Sequence, residues 1–214
     1  MPIREHITSQ SYIDWLKSLG CVFYAPLIQG DTRDYISGQP LEQSNGSFSW
    51  DSNIGAYKFI ATSSYNVYIA AWNNLNLDID INNFGGSWMY EVRLANNRQA
   101  VPIVFGGRNF AQSVAPNQVG NNIWAKWATT IPDADGVTHR RQWWYVNGQK
   151  AIIPAGYDRG VNPTVFTPDA KIRIEVNNVG TDSGYISTQF YMRNAYIFNR
   201  ALSQDEIKQI QQIP

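Results

Sequence analysis

Cysteine and histidine are the scarcest reactive residues in this chain: Cys21 stands alone, with only His6 and His139 beside it. One thiol excludes an intrachain disulfide framework and any zinc site built on paired cysteines. Cys21 lies in an apolar run, where an inert packed thiol is the simpler reading. The two histidines are far apart and lack metal-ligand spacing, and a His-centred triad would need one of them beside a nucleophile. Charge is also sparse. Charged residues make up 16% of the chain, against an ordinary usage of about 25%. Lys plus Arg equals Asp plus Glu, so the formal net charge is zero. With no basic run either, recognition of nucleic acid by a basic face is disfavoured. No apolar run approaches the ~20 residues of a membrane span. The opening MPIREHITSQ has no apolar core of the kind a signal peptide needs. Two locations remain open on that reading: outside the cell or on its surface if the chain is trimmed, or in a virus particle.

What the chain does hold is aromatic residues and turn residues. Phe, Trp and Tyr make up 14%, among them eight Trp and twelve Tyr, enough to fill a core and to leave rings for a binding surface. Short runs rich in aromatic and β-branched residues recur, separated by Gly, Asn, Asp and Pro. Strands are expected at Cys21–Leu27, Ser47–Trp50, Ala56–Ile60, Asn66–Ala70, Leu75–Ile81, Trp88–Leu94, Val101–Phe105, Ile123–Thr130, Arg141–Val146, Lys171–Val176 and Gln189–Phe198. Leu75, Leu77, Ile79 and Ile81 alternate strictly with Asn76, Asp78 and Asp80, and Trp88, Tyr90, Val92 and Leu94 form a second inward set. Asn147-Gly148 is a strong hairpin signal. A helix is expected over residues 8–20, with a capping box at Ser11 and Asp14, a stripe of Tyr12, Trp15, Leu16 and Leu19, and Gly20 as its stop. It would plug one end of the sandwich or dock a partner. The fold class is all-β, a two-sheet antiparallel β-sandwich with a short helix at each end. Residues 1–19 form an N-terminal helical extension and 20–214 the sandwich domain.

The C-terminal stretch Tyr191–Gln212 (YMRNAYIFNRALSQDEIKQIQQ) reads as a strand, a sharp turn and a closing helix. Ser203 and Glu206 have capping-box spacing, Leu202 can staple to Ile207, and Ile207, Ile210 and Ile213 form one stripe. This segment resembles the close of laminin-G-like domains, members of the concanavalin A-like lectin/glucanase jelly rolls. Further pieces follow in order: Cys21–Leu27 (CVFYAPL) with its Asp-and-Gly loop, Gly55–Phe59 (GAYKF), Ser64–Ile69 (SYNVYI), Ser87–Leu94 (SWMYEVRL), Trp124–Thr130 (WAKWATT) and Tyr145–Gly148 (YVNG). The resemblance covers nearly all of the chain after Gly20. It implies a jelly roll and places Trp88, Trp124 and Trp127 in the core. It does not imply one activity.

Glucanases of that superfamily carry alternating carboxylates on one strand. The nearest match here, Asp78-Ile-Asp80-Ile-Asn82-Asn83, lacks the first Glu and the closing acid, so the partner that protonates the leaving oxygen is missing. Glu91 and Glu175 point outward from their strands, but Arg93 and Arg173 share those outward positions and ion pairs explain them more simply. An enzyme is therefore not expected, and glycoside hydrolysis stands third among the readings. The resemblance also implies calcium in rim loops; Asp133 with Asp135, and Asp31 with Asp34, are the candidate ligands, set against ordinary turns. In Trp143-Trp144-Tyr145-Val146, Trp144 and Val146 would fill the core, leaving Trp143 and Tyr145 exposed for sugar stacking. Trp50, Trp72 and Tyr157 sit near expected turns, and Ala155–Thr167 is long enough to be a binding loop. The expected function is a non-catalytic recognition module binding a carbohydrate or a protein surface. Trp143, Tyr145, Arg93, Glu91 and Arg173 are its candidate contacts. The alternative is a structural or decoration protein whose sandwich face is buried against neighbouring chains of a virus particle or other assembly.

Overall fold

The computed structural model describes residues 6–61, 67–80, 85–94, 102–106, 111–113, 122–131, 143–150, 165–176 and 189–213. Helix α1 spans Gln10–Ser18. Strands β1 (Cys21–Ala25), β2 (Leu41–Gln43), β3 (Gly46–Asp51), β4 (Ala56–Ala61), β5 (Val67–Asp80) and β6 (Gly86–Leu94) follow. Then come β7 (Pro102–Gly106), β8 (Ala111–Ser113), β9 (Trp124–Ile131), β10 (Trp143–Val146), β11 (Gln149–Lys150), β12 (Val165–Val176) and β13 (Gln189–Phe198), and α2 (Gln204–Gln212) closes the chain. The larger sheet runs β11-β10-β9-β6-β13-β4-β3, with β1 also paired to β13; the smaller runs β2-β5-β12-β7-β8. The pairs are antiparallel, so the chain is the two-sheet β-sandwich its alternation predicts. Among the described residues, no helix is long and apolar enough to cross a membrane.

Alternation fills the space between the sheets. Trp88, Tyr90 and Val92 of β6 meet Leu75 and Leu77 of β5, Ile172 and Ile174 of β12, and Phe190 of β13 in one buried cluster. The β10–β11 hairpin turns on Asn147 and Gly148, both at positive φ (50° and 76°), as a two-residue turn of primed type requires. Two expected strands merge. The described residues of Asn66–Ala70 and Leu75–Ile81, 67–70 and 75–80, are both parts of β5, which absorbs an extra residue where Asn74 takes φ 55° and the pairing with β12 shifts. Trp72 therefore sits inside a strand, fully buried, with its indole N–H donating to the Thr32 carbonyl at 2.8 Å, and presents no ring to a rim.

A second buried cluster lies on the outer face of the larger sheet. Met89, Ala128, Tyr145, Tyr196 and Phe198 point away from the first core and are covered by the apolar stripes of both helices. Helix α1 thus covers a face; it does not plug an end. Its cap is Ser9, two residues earlier than the spacing of Ser11 and Asp14 suggests, and Ser9 Oγ accepts the Tyr12 N–H. Gly20, at φ 83°, stops it. Helix α2 carries the expected capping box: Glu206 N–H donates to Ser203 Oγ and Ser203 N–H donates to Glu206 Oε2. Arg200 adds two hydrogen bonds to the same carboxylate. Leu202 and Ile207 both enter the second cluster, as a staple should.

Candidate functional site

The helices cover only part of the outer face, and the boundary is a β-bulge. In β13, Arg193 pairs with Glu91 and Ala195 with Tyr90, so Asn194 is the extra residue, at φ 53°. The bulge resets parity. Phe190 and Met192 point inward before it, Ala195 and Ile197 after it. The opposite positions are Tyr191 and Arg193 on one side, and Tyr196 and Phe198 under the helices on the other.

The half beyond the bulge is polar and aromatic, and of the described elements the C-terminal end of α2 reaches only its Lys126 edge. Register places Trp124 opposite Arg93, Arg93 opposite Tyr191, Tyr191 opposite Lys58 and Lys58 opposite Ser49. This single row crosses five strands. Trp124, Arg93, Tyr191 and Lys58 are all half-buried. In the next row Lys126, Glu91 and Arg193 stand side by side. The exposed apolar side chains Ile60 and Ile123 belong to the same end of the sheet, Ile123 next to Trp124 in sequence and Ile60 opposite Gln189.

Planar groups stack across these rows. The Arg193 guanidinium lies 4.3 Å from the Trp124 ring centroid, and that of Arg93 lies 5.8 Å from the Tyr191 ring. Arg193 is held from below by Glu91, Nη2 to Oε1 at 2.8 Å, and Asn194 Nδ2 donates to the other carboxylate oxygen at 3.3 Å. Glu91 is only 3% exposed. Tyr191 Oη donates to Asp51 Oδ2 at 3.0 Å. Burial and that carboxylate raise the Tyr191 hydroxyl above its ordinary pKa. For Asp51, desolvation acts upward, but the Tyr191 hydroxyl and the Asn53 and Ile54 amides outweigh it and the carboxyl sits low. Lys126 Nζ donates to the Gln211 and Ile213 carbonyls, tying the C-terminal end of α2 to the sheet. The Nε–H groups of Arg93 and Arg193 are buried and find no acceptor among the described residues.

The sequence-derived candidates distribute unevenly over this arrangement. Arg93 and Glu91 belong to it, although the ion-pair partner of Glu91 is Arg193 on the neighbouring strand, not Arg93. Tyr145 does face outward, opposite Ala128. It is nonetheless only 7% exposed, because α2 and its neighbours cover that half, so it presents no stacking ring. Arg173 lies on β12 of the smaller sheet, apart from the others, opposite Ala71 and Gly106. The Trp143 backbone pairs with Thr130, and its side chain lies outside the described residues. Trp124 was expected in the core and instead lies half-buried on the outer face, since Ala125 and Trp127 take the inward positions of β9.

Calcium does not fit the loop at Asp31 and Asp34. Asp34 is fully buried, and its carboxylate accepts from the Tyr24, Ile36 and Ser37 amides and the Ser37 hydroxyl. Burial pushes its pKa up against those bonds. Asp31 is paired with Arg33 at 2.7 Å and accepts from Tyr35; the Arg33 hydrogen bond dominates in holding its pKa at about 2. Both carboxylates work as loop staples. No cluster of three or more His, Cys, Asp or Glu occurs among the described residues. Asp133, Asp135, Tyr157 and the side chains of Asp78, Asp80 and Glu175 lie outside them.

No protein-family model matches the sequence, and no curated protein matches it either. Solved structures do share its fold. Trypanosoma rangeli sialidase is 16% identical, with a TM-score of 0.52 over 90% of this chain and 32% of its own. The botulinum neurotoxin type G receptor binding domain is 15% identical (TM-score 0.54, 91% of this chain, 51% of its own). The binding domain of botulinum neurotoxin DC, solved with rat synaptotagmin II, is 13% identical (TM-score 0.56, 90% and 51%). The chain spans about a third of the sialidase and half of the toxin domains. These likenesses are of fold: they agree with the two-sheet antiparallel β-sandwich described above.

Proposed function

We propose that this chain is a non-catalytic, laminin-G-like recognition module that holds a glycan on the open half of the outer face of its larger sheet. The observation that carries the reading is the cross-strand row of Trp124, Arg93 and Tyr191, with guanidinium groups lying against both rings. Half-buried rings offer flat apolar surface for the C–H face of a sugar, while the guanidinium forks between them reach its hydroxyls. Two features support binding over turnover. Glu91 and Asp51, the carboxylates on this half among the described residues, already accept from Arg193, Asn194 and Tyr191. Neither is therefore placed as one of the paired acids of a glycosidase. The structural neighbours also include domains named for receptor binding. Those likenesses concern fold, so the weight rests on the row.

The test is a glycan array probed with the wild type, Trp124→Ala, Tyr191→Ala and Arg173→Gln. Binding should be seen, should fall about tenfold or more for each ring deletion, corresponding to ~1.4 kcal/mol, and should be unchanged for Arg173→Gln on the smaller sheet. A folded wild type that binds no glycan, or ring variants that bind like wild type, would overturn the proposal.

A further inference from the structure

We infer that the glycan held on this face is acidic, its carboxylate or sulfate seated on the Arg93 guanidinium with Lys58 beside it; this rests on the binding face proposed above. The observation is an imbalance among cations that are otherwise matched. Arg193 has Glu91, and Lys126 has the carbonyls at the end of α2. Arg93 has no carboxylate among the described residues. Among the described residues its contact is the Tyr191 ring, and its Nε–H, like that of Arg193, finds no acceptor there. A half-buried guanidinium without a counter-ion is unfavourable, and an anion brought by a ligand relieves it. Lys58, one strand beyond Tyr191 in the same row, acts on the Asp51 carboxylate only through space, and that carboxylate already accepts the Tyr191 hydroxyl and the Asn53 and Ile54 amides.

Arg93 and Lys58 therefore flank Tyr191, separated by two strand spacings, about 10 Å. An acidic monosaccharide lying on the Tyr191 ring can place its anion on one cation and a neighbouring charged residue of the chain on the other. The planar fork of Arg93 suits a carboxylate or sulfate, whose two oxygens it can take together. The chain as a whole carries no net charge, so this local excess is not a by-product of a basic protein. The rings on both sides of Arg93 favour a saccharide over a purely acidic peptide, which would need charge but not stacking surfaces.

The experiment measures affinity for uronic-acid and sulfated oligosaccharides, for neutral oligosaccharides of the same linkage, and for poly-glutamate. Wild type, Arg93→Gln, Arg93→Lys, Lys58→Gln and the distant Lys171→Gln are each titrated at low and high salt, with melting curves confirming the fold. The acidic chains should bind about tenfold or more tightly than neutral ones at low salt. Arg93→Gln should abolish that preference while residual binding to neutral chains persists. Arg93→Lys should restore part of it, Lys58→Gln should weaken the salt dependence, and Lys171→Gln should change nothing. Whether carboxylate or sulfate is preferred identifies the source of the charge. Equal binding of acidic and neutral sugars, or a preference that survives Arg93→Gln, overturns this inference and leaves the glycan-binding face standing. Binding to poly-glutamate alone assigns the face to an acidic protein and overturns both, as does binding to nothing.

Discussion

Replacing Glu91 by Gln keeps the shape of the side chain and removes one buried negative charge from beneath Arg193. The expected cost follows from the geometry. The 2.8 Å contact joins a carboxylate that is 4% exposed to a guanidinium that is 35% exposed. A hydrogen bond to a charged group contributes about 1.5–3 kcal/mol. Arg193 can rehydrate once released, and a buried amide is less costly to desolvate than a carboxylate, so the net loss should be about 1–2 kcal/mol. In a domain of this size that lowers Tm by roughly 3–6 °C. Urea unfolding of Glu91→Gln, Arg193→Gln and the double variant gives the coupling directly, also about 1–2 kcal/mol. Tryptophan emission should shift as well, because the guanidinium 4.3 Å from the Trp124 ring loses its tether. Additivity within a few tenths of a kcal/mol would mean that the pair contributes no coupling energy. Arg193 would then be held over Trp124 by something other than Glu91, and the account of the site as a scaffolded stack would fail.

Two further perturbations separate the covered half from the open one. Glu206 has its pKa held at about 2, chiefly by the Arg200 hydrogen bonds. Because the folded value lies below the ordinary value of 4.5, the stability it contributes is present above that value and disappears as pH falls from there through about 2. Glu206→Gln should therefore melt about 1 kcal/mol less stably at neutral pH and converge with wild type in acid, read by melts across pH. A constant gap down to pH 2 would refute the assignment. Tyr145→Ala should destabilise by about 3–5 kcal/mol through a cavity under α2. It should leave glycan affinity of the folded fraction unchanged, since the ring is buried; loss of binding without loss of stability would return Tyr145 to the binding surface.

The sandwich was legible because burial between two sheets imposes a period of two, and Leu75 with Leu77, or Trp88 with Tyr90 and Val92, write that period without interruption. The capping box at Ser203 and Glu206 and the Asn147-Gly148 turn were legible because each is a local motif whose residues satisfy one another. The site was harder to read, for two reasons. Outward positions look alike in sequence whether helices cover them or not, so Tyr145 and Arg93 belong to one class until α2 is docked. The bulge at Asn194 also shifts parity within a strand, hiding that Tyr191 and Arg193 share a face with Tyr196 and Phe198. Trp124 alone could have been placed correctly. It stands three residues before Trp127, so the two cannot both point inward on a regular strand, and Ala125 takes the inward position.

That bulge is also the sharpest test of how the outer face is made. Asn194 sits at φ 53°, its N–H donating to the Pro26 carbonyl and its amide to Glu91. Asn194→Gly meets the backbone requirement and loses only the side-chain bond, so it should cost no more than about 1 kcal/mol. Asn194→Val forces a β-branched residue to positive φ and should cost about 1–3 kcal/mol more. Deleting Asn194 is different in kind. With β13 one residue shorter, holding the inward parity of Ala195 and Ile197 turns the fully buried Phe190 and Met192 outward and drives Tyr191 and Arg193 between the sheets. Exposing two such side chains costs about 3–6 kcal/mol, and burying the Arg193 charge without Glu91 adds several more. Together these rival the ~5–15 kcal/mol that a domain has in total. The deletion should show no cooperative melt, whereas Asn194→Gly should melt near wild type. A cooperatively folding deletion that still bound glycan would mean that the ring and guanidinium row does not depend on the bulge to face outward.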